Sequence, residues 1–164
     1  MKKKAVIWVS TVLYILISIA IIALVLTAVT PVINKNKDKA LVEQSLEMLN
    51  ELDEGVERAS LTEGTQALVE IVMKKGTLTI EESQITWTLQ DSAYMYSEPG
   101  KYIGTRLVSL TEQTQDNKFD IHLILNYTGR TFNLDYNGRT LQPSENPYRI
   151  FIKNTGTNLE VFLG

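Results

Sequence analysis

Cysteine is absent from the 164 residues of this chain, and His122 is its single histidine. The lack of cysteine excludes disulfide bonds, thiolate zinc sites and cysteine nucleophiles, and one histidine cannot form a multi-histidine metal site within one chain. Phosphate-binding and dinucleotide-binding glycine motifs are also missing. We therefore expect no cofactor and no metal, and the composition favours a protein that is not an enzyme.

Positive charge is in short supply as well. The net charge is −3, and the basic residues either flank one apolar run or are scattered through the rest of the chain. Such a protein has no strong electrostatic field with which to collect phosphate groups. We expect no nucleic-acid partner.

The lone histidine is the only starting point for a Ser/His/Asp triad. Asp120 flanks it, and Ser109 and Ser144 are remote candidates for the nucleophile. No Gly-x-Ser-x-Gly turn is present to expose such a serine. The alternation of apolar and polar residues instead predicts that His122 lies on the polar face of a strand.

Charged residues, glycine and histidine are all missing from residues 5–33. At roughly 29 residues this run would form a helix ~43 Å long, which exceeds the ~30 Å hydrocarbon core of a bilayer. It is also longer than the apolar stretch of ~7–15 residues in a conventional secretory signal, so we expect it to remain in the mature protein. Pro31 is predicted to bend or interrupt the helix near its end, because proline has no N–H donor.

Lysines flank the apolar run on both sides, so the positive-inside rule alone does not orient it. Three precede the run and three follow it: Lys2, Lys3, Lys4, Lys35, Lys37 and Lys39. About 130 residues without a second apolar span follow the run. We expect the short N-terminal end to face the cytoplasm and the larger part of the chain to lie outside.

An amphipathic helix is predicted over residues 34–60. Apolar or small residues recur there at spacings of three and four and form one seam: Val42, Ser45, Leu49, Leu52, Val56 and Ala59. The rest of this helix carries acidic residues: Glu43, Glu47, Glu51, Asp53, Glu54 and Glu57. The acidic face is either simply solvated or apposed to the lysine-rich turn of a neighbouring copy. Gly55 and Gly64 are predicted to mark the fraying end of the helix.

Strand character begins after residue 60, where eight of the nine glycines lie at turn-like intervals. Period-two alternation and turn signals predict eight strands, at residues 67–73, 77–81, 84–90, 103–110, 119–127, 131–136, 148–153 and 159–163. Turns are expected at Lys75-Gly76, at Asn137-Gly138 and at residues 154–157. Strands of this number and length imply an antiparallel sandwich or a barrel, and we take an Ig-like sandwich as the expected head.

The predicted fold class is therefore α+β, with three regions. Residues 1–5 are a short basic leader, residues 6–60 a long N-terminal helix, and residues 61–164 a β-rich head. Within the helix, residues 6–33 form a membrane or filament core and residues 34–60 an amphipathic stalk.

Two surface features of the head are candidates for modification and binding. Asn126-Tyr127-Thr128 fits the acceptor motif for N-glycosylation, and the alternation places Asn126 on a polar face near a strand end. Tyr94 and Tyr96 are the pair that we single out as a possible adhesive aromatic surface. Packing in the core or on a sheet face is the commoner role of such tyrosines.

A short basic leader, a long charge-free helix, an amphipathic continuation and a β-rich head together resemble the type IV pilin superfamily, specifically its archaeal branch of pilins and archaellins. In that family a membrane peptidase cuts between the leader and the apolar helix, and Lys3-Lys4-Ala5 followed by Val6 looks like such a junction. Ser10 stands where bacterial pilins carry a glutamate, and the glycine common before the cut is missing. These departures favour the archaeal branch.

The resemblance implies a structural subunit of an extracellular helical filament at the cell surface. The precursor would be inserted in the cell membrane, and a leader peptidase and an ATP-driven membrane assembly machine would be its partners. Copies of the helix would form a homo-oligomeric core, with the heads outward for surface adhesion. The expected core residues are Val9, Leu13, Leu16, Ile19, Leu24, Leu26 and Pro31.

A protein of another class fits the same sequence. In this alternative the chain is a single-pass, permanently anchored cell-surface protein whose β-sandwich head binds a partner or a glycan. The two hypotheses differ in the fate of the leader and in self-association.

Overall fold

The computed structural model describes residues 2–136 and 140–164, and for residues 2–10 it describes the backbone only. In this described part, one α-helix, α1 (Lys2–Ser60), precedes all the strands. The helix predicted over residues 6–60 lies within it. The predicted α+β class, a long N-terminal helix followed by antiparallel-rich sheets, is confirmed.

The helix runs through Pro31 without a break, so of the two expected outcomes, a bend or an interruption, the interruption does not occur. Pro31 has no N–H to donate to the carbonyl of Thr27, four residues earlier. Thr30 donates its hydroxyl hydrogen to the carbonyl of Leu26 at 2.6 Å, and Thr27 donates to that of Leu24 at 2.8 Å. These bonds pair the two hydroxyl groups nearest the proline within the helix, but they do not replace the backbone bond that the proline removes.

The two halves of α1 have different surroundings. Residues 11–37 are exposed, and burial begins at Asp38. From that residue on, the predicted seam is inside the head: Val42, Ser45, Leu49, Leu52, Val56 and Ala59 are all buried. The prediction of an amphipathic helix with one apolar face is therefore confirmed, and the surface that covers this face is the head of the same chain.

Gly55 lies in the middle of this packed half and is buried, so the prediction that it marks a fraying end was wrong. The helix continues to Ser60. A Cβ atom on Gly55 would lie 2.4 Å from Cγ2 of Val69 and 3.4 Å from Cδ1 of Ile152. The glycine is needed because the helix axis comes unusually close to the sheet at this point.

Eight strands follow the helix: β1 (Gln66–Ile71), β2 (Thr77–Glu81), β3 (Gln84–Ser92), β4 (Leu107–Gln113), β5 (Phe119–Asn126), β6 (Asn133–Asp135), β7 (Tyr148–Asn154) and β8 (Asn158–Leu163). They form two four-stranded sheets, ordered β1-β7-β8-β6 and β2-β3-β5-β4. All pairings are antiparallel except that of β6 with β8, which is parallel. Two separate sheets favour the sandwich over the barrel.

The buried faces of both sheets and the seam of α1 share one hydrophobic core. Alternate residues of each long strand point into it, such as Ile85, Trp87 and Leu89 of β3 and Ile121, Leu123 and Leu125 of β5. The helix contacts strands of both sheets, most extensively β1 and β7. The head therefore has the second half of α1 as part of its interior.

The strand predicted at residues 103–110 is displaced. β4 begins at Leu107, and the preceding residues fold back so that Ile103 and Ser109 exchange backbone hydrogen bonds of 3.0 and 2.8 Å. Gly104, with φ of 111°, makes this reversal possible, because a Cβ atom there would lie 2.0 Å from the carbonyl oxygen of Leu107. The turn predicted at Asn137-Gly138 lies outside the described residues.

We expect Gly55→Ala to lower the free energy of unfolding by about 1–3 kcal/mol, the usual cost of overpacking. Helix propensity alone would give the opposite sign, since alanine is favoured over glycine by about 1 kcal/mol. Urea unfolding of the full chain in detergent, followed by the fluorescence of buried Trp87, measures the change. In a Val69→Ala background the same substitution should be neutral or stabilising, and an equal loss in both backgrounds would contradict the close-approach explanation.

Candidate functional site

The first candidate site is the exposed half of α1, which we call the apolar segment (residues 11–33). The predicted core residues Leu13, Leu16, Ile19, Leu24 and Leu26 are all exposed, and Leu24 reaches 70%. Pro31 is exposed too, whereas the side chain of Val9 lies outside the described residues. Within the described part of the chain, α1 is the one helix whose length and composition suit a membrane span.

Three hydroxyl groups of the apolar segment are hydrogen-bonded to carbonyl groups of the helix itself. Ser18 donates to the carbonyl of Tyr14 at 2.8 Å, in the same manner as Thr27 and Thr30. A hydroxyl bonded in this way presents little unpaired polarity to its surroundings. The outer surface of the segment is therefore suited either to lipid or to the apolar side chains of another helix.

The apolar segment is joined to the head at Asp38, the first buried residue of α1 after residue 10. Its carboxylate accepts a hydrogen bond from Lys75 Nζ at 3.2 Å and one from the backbone N–H of Ala93 at 2.8 Å. Both partners are far away in sequence and belong to the head. Asp38 therefore fixes the base of the head to the helix on the side where the apolar segment leaves it.

The turn that carries Lys75 is itself held by the core. Trp87 Nε1 donates to the carbonyl of Lys75 at 3.2 Å, and Gly76 has a φ of 84°. A Cβ atom on Gly76 would lie 2.6 Å from Trp87 Nε1, so only glycine fits beside the indole. Trp87 thus positions the turn whose lysine reaches Asp38.

A second polar cluster, the Arg106 cluster, lies at the other end of the packed helix and consists of Asp53, Glu57, Arg106, Tyr127 and Arg130. The Arg106 guanidinium bonds to both helix carboxylates, and Arg130 reaches Glu57 at 3.0 Å. Tyr127 donates its hydroxyl hydrogen to Asp53 at 2.9 Å, and the Arg106 guanidinium carbon lies 5.7 Å from the centre of the tyrosine ring. The cluster fastens the end of α1 to the loops beside β4 and β5.

The electrostatics of the Arg106 cluster follow from partial burial next to two carboxylates. Burial raises the pKa of Tyr127 well above its usual value, and the negative charge of Asp53 raises it further. Burial alone lowers the pKa of Arg106, but attraction to Asp53 and Glu57 outweighs that effect, so the pKa of Arg106 is raised. The cluster is thus an ion-pair and hydrogen-bond network around a neutral phenol.

Each residue considered for a triad has a hydrogen-bond partner outside the proposed triad. His122 Nδ1 is 3.0 Å from the hydroxyl of Thr88 on the neighbouring strand. Asp120 accepts a hydrogen bond from the backbone N–H of Asp91, and the hydroxyl of Ser109 faces the carbonyl of Ile103. Among the residues that the structure describes, no three acidic or histidine side chains converge as a metal site.

The remaining predicted site residues lie on the head and in the leader. Asn126 is exposed at the end of β5, and its side-chain oxygen accepts the backbone N–H of Thr128 at 2.8 Å. Tyr94 and Tyr96 are half-buried against the core, with ring centres 6.5 Å apart, so only part of each ring is accessible. Lys3, Lys4, Ala5 and Val6 lie in the helix, and their side chains are outside the described residues.

Sequence reasoning missed both polar fixation points. For Asp38 a signal exists, since it stands four residues before Val42 and so extends the seam by one turn with a buried polar residue. For Arg106 no local signal exists, because its partners are 49 and 53 residues away.

Comparisons with protein-family models, with curated proteins and with solved structures found no match.

We expect Tyr127→Phe to lower the free energy of unfolding at neutral pH by about 1.5–3 kcal/mol, the range for a hydrogen bond to a charged group. The raised pKa of Tyr127 also gives a pH dependence: this stabilisation is complete below the phenol's unfolded pKa of about 10 and is lost as the pH rises above it. Urea unfolding at neutral and alkaline pH measures both effects. Substitution of the exposed Tyr102 by Phe is the matched control. If Tyr127→Phe lost as much unfolding free energy at alkaline pH as the wild type does, this assignment would be contradicted.

Proposed function

We propose that this protein is a structural subunit of an extracellular helical filament of the type IV pilus kind, with an architecture that resembles that of archaeal pilins. The observation that supports this most is the continuity of α1 between the apolar segment and the interior of the head. A membrane anchor can be joined to its domain by any flexible linker. A polymer needs each head at a fixed position relative to its core helix, and an unbroken helix provides that.

The apolar segment needs a cover that the chain itself does not supply. Its side chains are exposed throughout, and burial of apolar surface stabilises by ~25 cal/mol per Å². Over the nineteen apolar side chains of residues 11–33 this amounts to tens of kcal/mol, so the segment is incompatible with water. Lipid covers it in the precursor, and the same segment of other copies covers it in the filament.

Assembly in this proposal exchanges one apolar cover for another. The precursor is held in the cell membrane, a leader peptidase cuts between Ala5 and Val6, and an ATP-driven membrane machine extracts the subunit. Dispersion contacts between close-packed helices then replace contacts with lipid. Heterologous contacts that do not close give a helical polymer of identical subunits.

The head is on the outside of such a filament. There, Asn126 is available for N-glycosylation, since it is exposed at a strand end within its acceptor motif. The accessible parts of Tyr94 and Tyr96 are the proposed adhesive surface.

Ile19→Glu should abolish filaments, because an unpaired carboxylate in a dry helix core costs several kcal/mol per subunit. Electron microscopy of material sheared from the cell surface measures filament number, and membrane fractionation checks that the variant still inserts. Leu61→Glu is the matched control, since Leu61 is a 78% exposed leucine just beyond the end of α1 and should tolerate the charge. Normal filaments of Ile19→Glu would contradict the proposed core.

The mass of the mature N-terminus distinguishes a filament subunit from a permanently anchored surface protein. A filament subunit should begin at Val6 in the sheared material. A mature protein that keeps residues 1–5, together with a shear fraction free of filaments, would favour the anchored binding module instead.

A further inference from the structure

The base of the head lies very close to the end of the apolar segment. Ile33 is the last residue of that segment, and Asp38 is the first residue held by the head. Five residues of helix rise by ~7.5 Å, which is about the thickness of the headgroup layer on one side of a bilayer. In the membrane-inserted chain, the loops at this base are therefore at the level of the lipid headgroups.

A groove of about 410 Å³ opens at this base, between α1 and two loops of the head. We call it the basal groove. Its polar lining comes from the helix, from the turn between β1 and β2, from the end of β3 and from the loop between β4 and β5: Asn34, Lys37, Asp38, Lys75, Asp91 and Lys118. Its volume is within the range of small-molecule sites.

Within the part of the chain that the structure describes, some of the charged side chains that line the basal groove are paired and others are not. Of its two carboxylates, Asp38 is buried and already bonded to Lys75 and to the backbone of Ala93. Lys37 and Lys118 are exposed, and no ion-pair partner lies within reach of either among the described residues. Two ammonium groups from different segments thus face one groove, opposed by the carboxylate of Asp91.

The surroundings of the basal groove add positive charge at the same level. Lys35 lies on the same two turns of α1, whereas Lys39 is 3.7 Å from Glu43. The nearby Asp120 is engaged by the backbone N–H of Asp91. Basic residues next to a membrane span attract anionic lipids over distances of about a Debye length.

We propose that the basal groove binds the phosphodiester headgroup of an anionic phospholipid while the chain is in the bilayer. Lys37 and Lys118 contact the phosphate oxygens, Lys75 continues to neutralise Asp38, and the amide of Asn34 lies on the membrane side of the site. A lipid is favoured over free phosphate because membrane insertion holds headgroups at this level at high effective concentration. The proposal rests on the membrane-inserted stage of the proposed function.

Native mass spectrometry of the purified full chain in mild detergent, with equal amounts of phosphatidylglycerol and phosphatidylcholine, tests the proposal. The wild type should retain phosphatidylglycerol in preference. Lys37→Gln and Lys118→Gln should each reduce that preference about five-fold, as expected for one basic residue at a membrane surface. The matched control is Lys153→Gln, which removes the same charge from an exposed strand residue near the opposite end of α1.

Three results would overturn the proposal. The first is equal retention of both lipids by the wild type, and the second is a loss of preference in Lys153→Gln as large as that in Lys37→Gln and Lys118→Gln. The third is displacement of phosphatidylglycerol by inorganic phosphate at matched concentration, which would assign the groove to a free anion. Near-ultraviolet circular dichroism shows whether each variant keeps the folded head. These outcomes are independent of polymerisation, because filaments of the wild type in the shear fraction test the proposed function and the lipid ratio tests the groove.

Discussion

The packing of the second half of α1 into the two sheets is the interaction on which the rest of the structure depends. Six seam residues of one helix face are buried among strands of both sheets, and Gly55 lets the helix come within contact distance of β1. A head of this size depends on that seam for a substantial part of its core. Because the seam and the apolar segment belong to one continuous helix, the position and the orientation of the head are fixed relative to the apolar segment.

Polar residues hold this packed helix at both of its ends. Asp38 bonds to Lys75 and Ala93 at the base, and the Arg106 cluster fixes the last turns. Partly buried ion pairs add little net stability compared with apolar contacts. They do penalise any sliding of α1 against the two sheets, because a displaced charge loses its partner. The apolar seam stabilises the docking, and the two polar ends specify its register.

Much of this architecture could be predicted from local sequence patterns. Helical and period-two spacing report which side of an element faces the core, and for this reason the seam and the eight strands were found near their observed positions. The failures are the features that depend on distant contacts. Gly55 reads locally as a helix terminator but faces Val69, and residues 103–106 read as strand but turn back at Gly104. The partners of Asp38 and Arg106 are 37 to 55 residues away, beyond any local pattern.

The absence of a hinge between residues 33 and 38 has a geometric consequence. An α-helix turns by about 100° for each residue. The rotational position of the head around the helix axis is therefore fixed by the number of helical residues between the apolar segment and Asp38. A single inserted residue would swing the head through more than a quarter of a circle while lifting it by only ~1.5 Å. The number of residues in this region therefore determines the rotational orientation of the head about the helix axis far more strictly than its position along that axis.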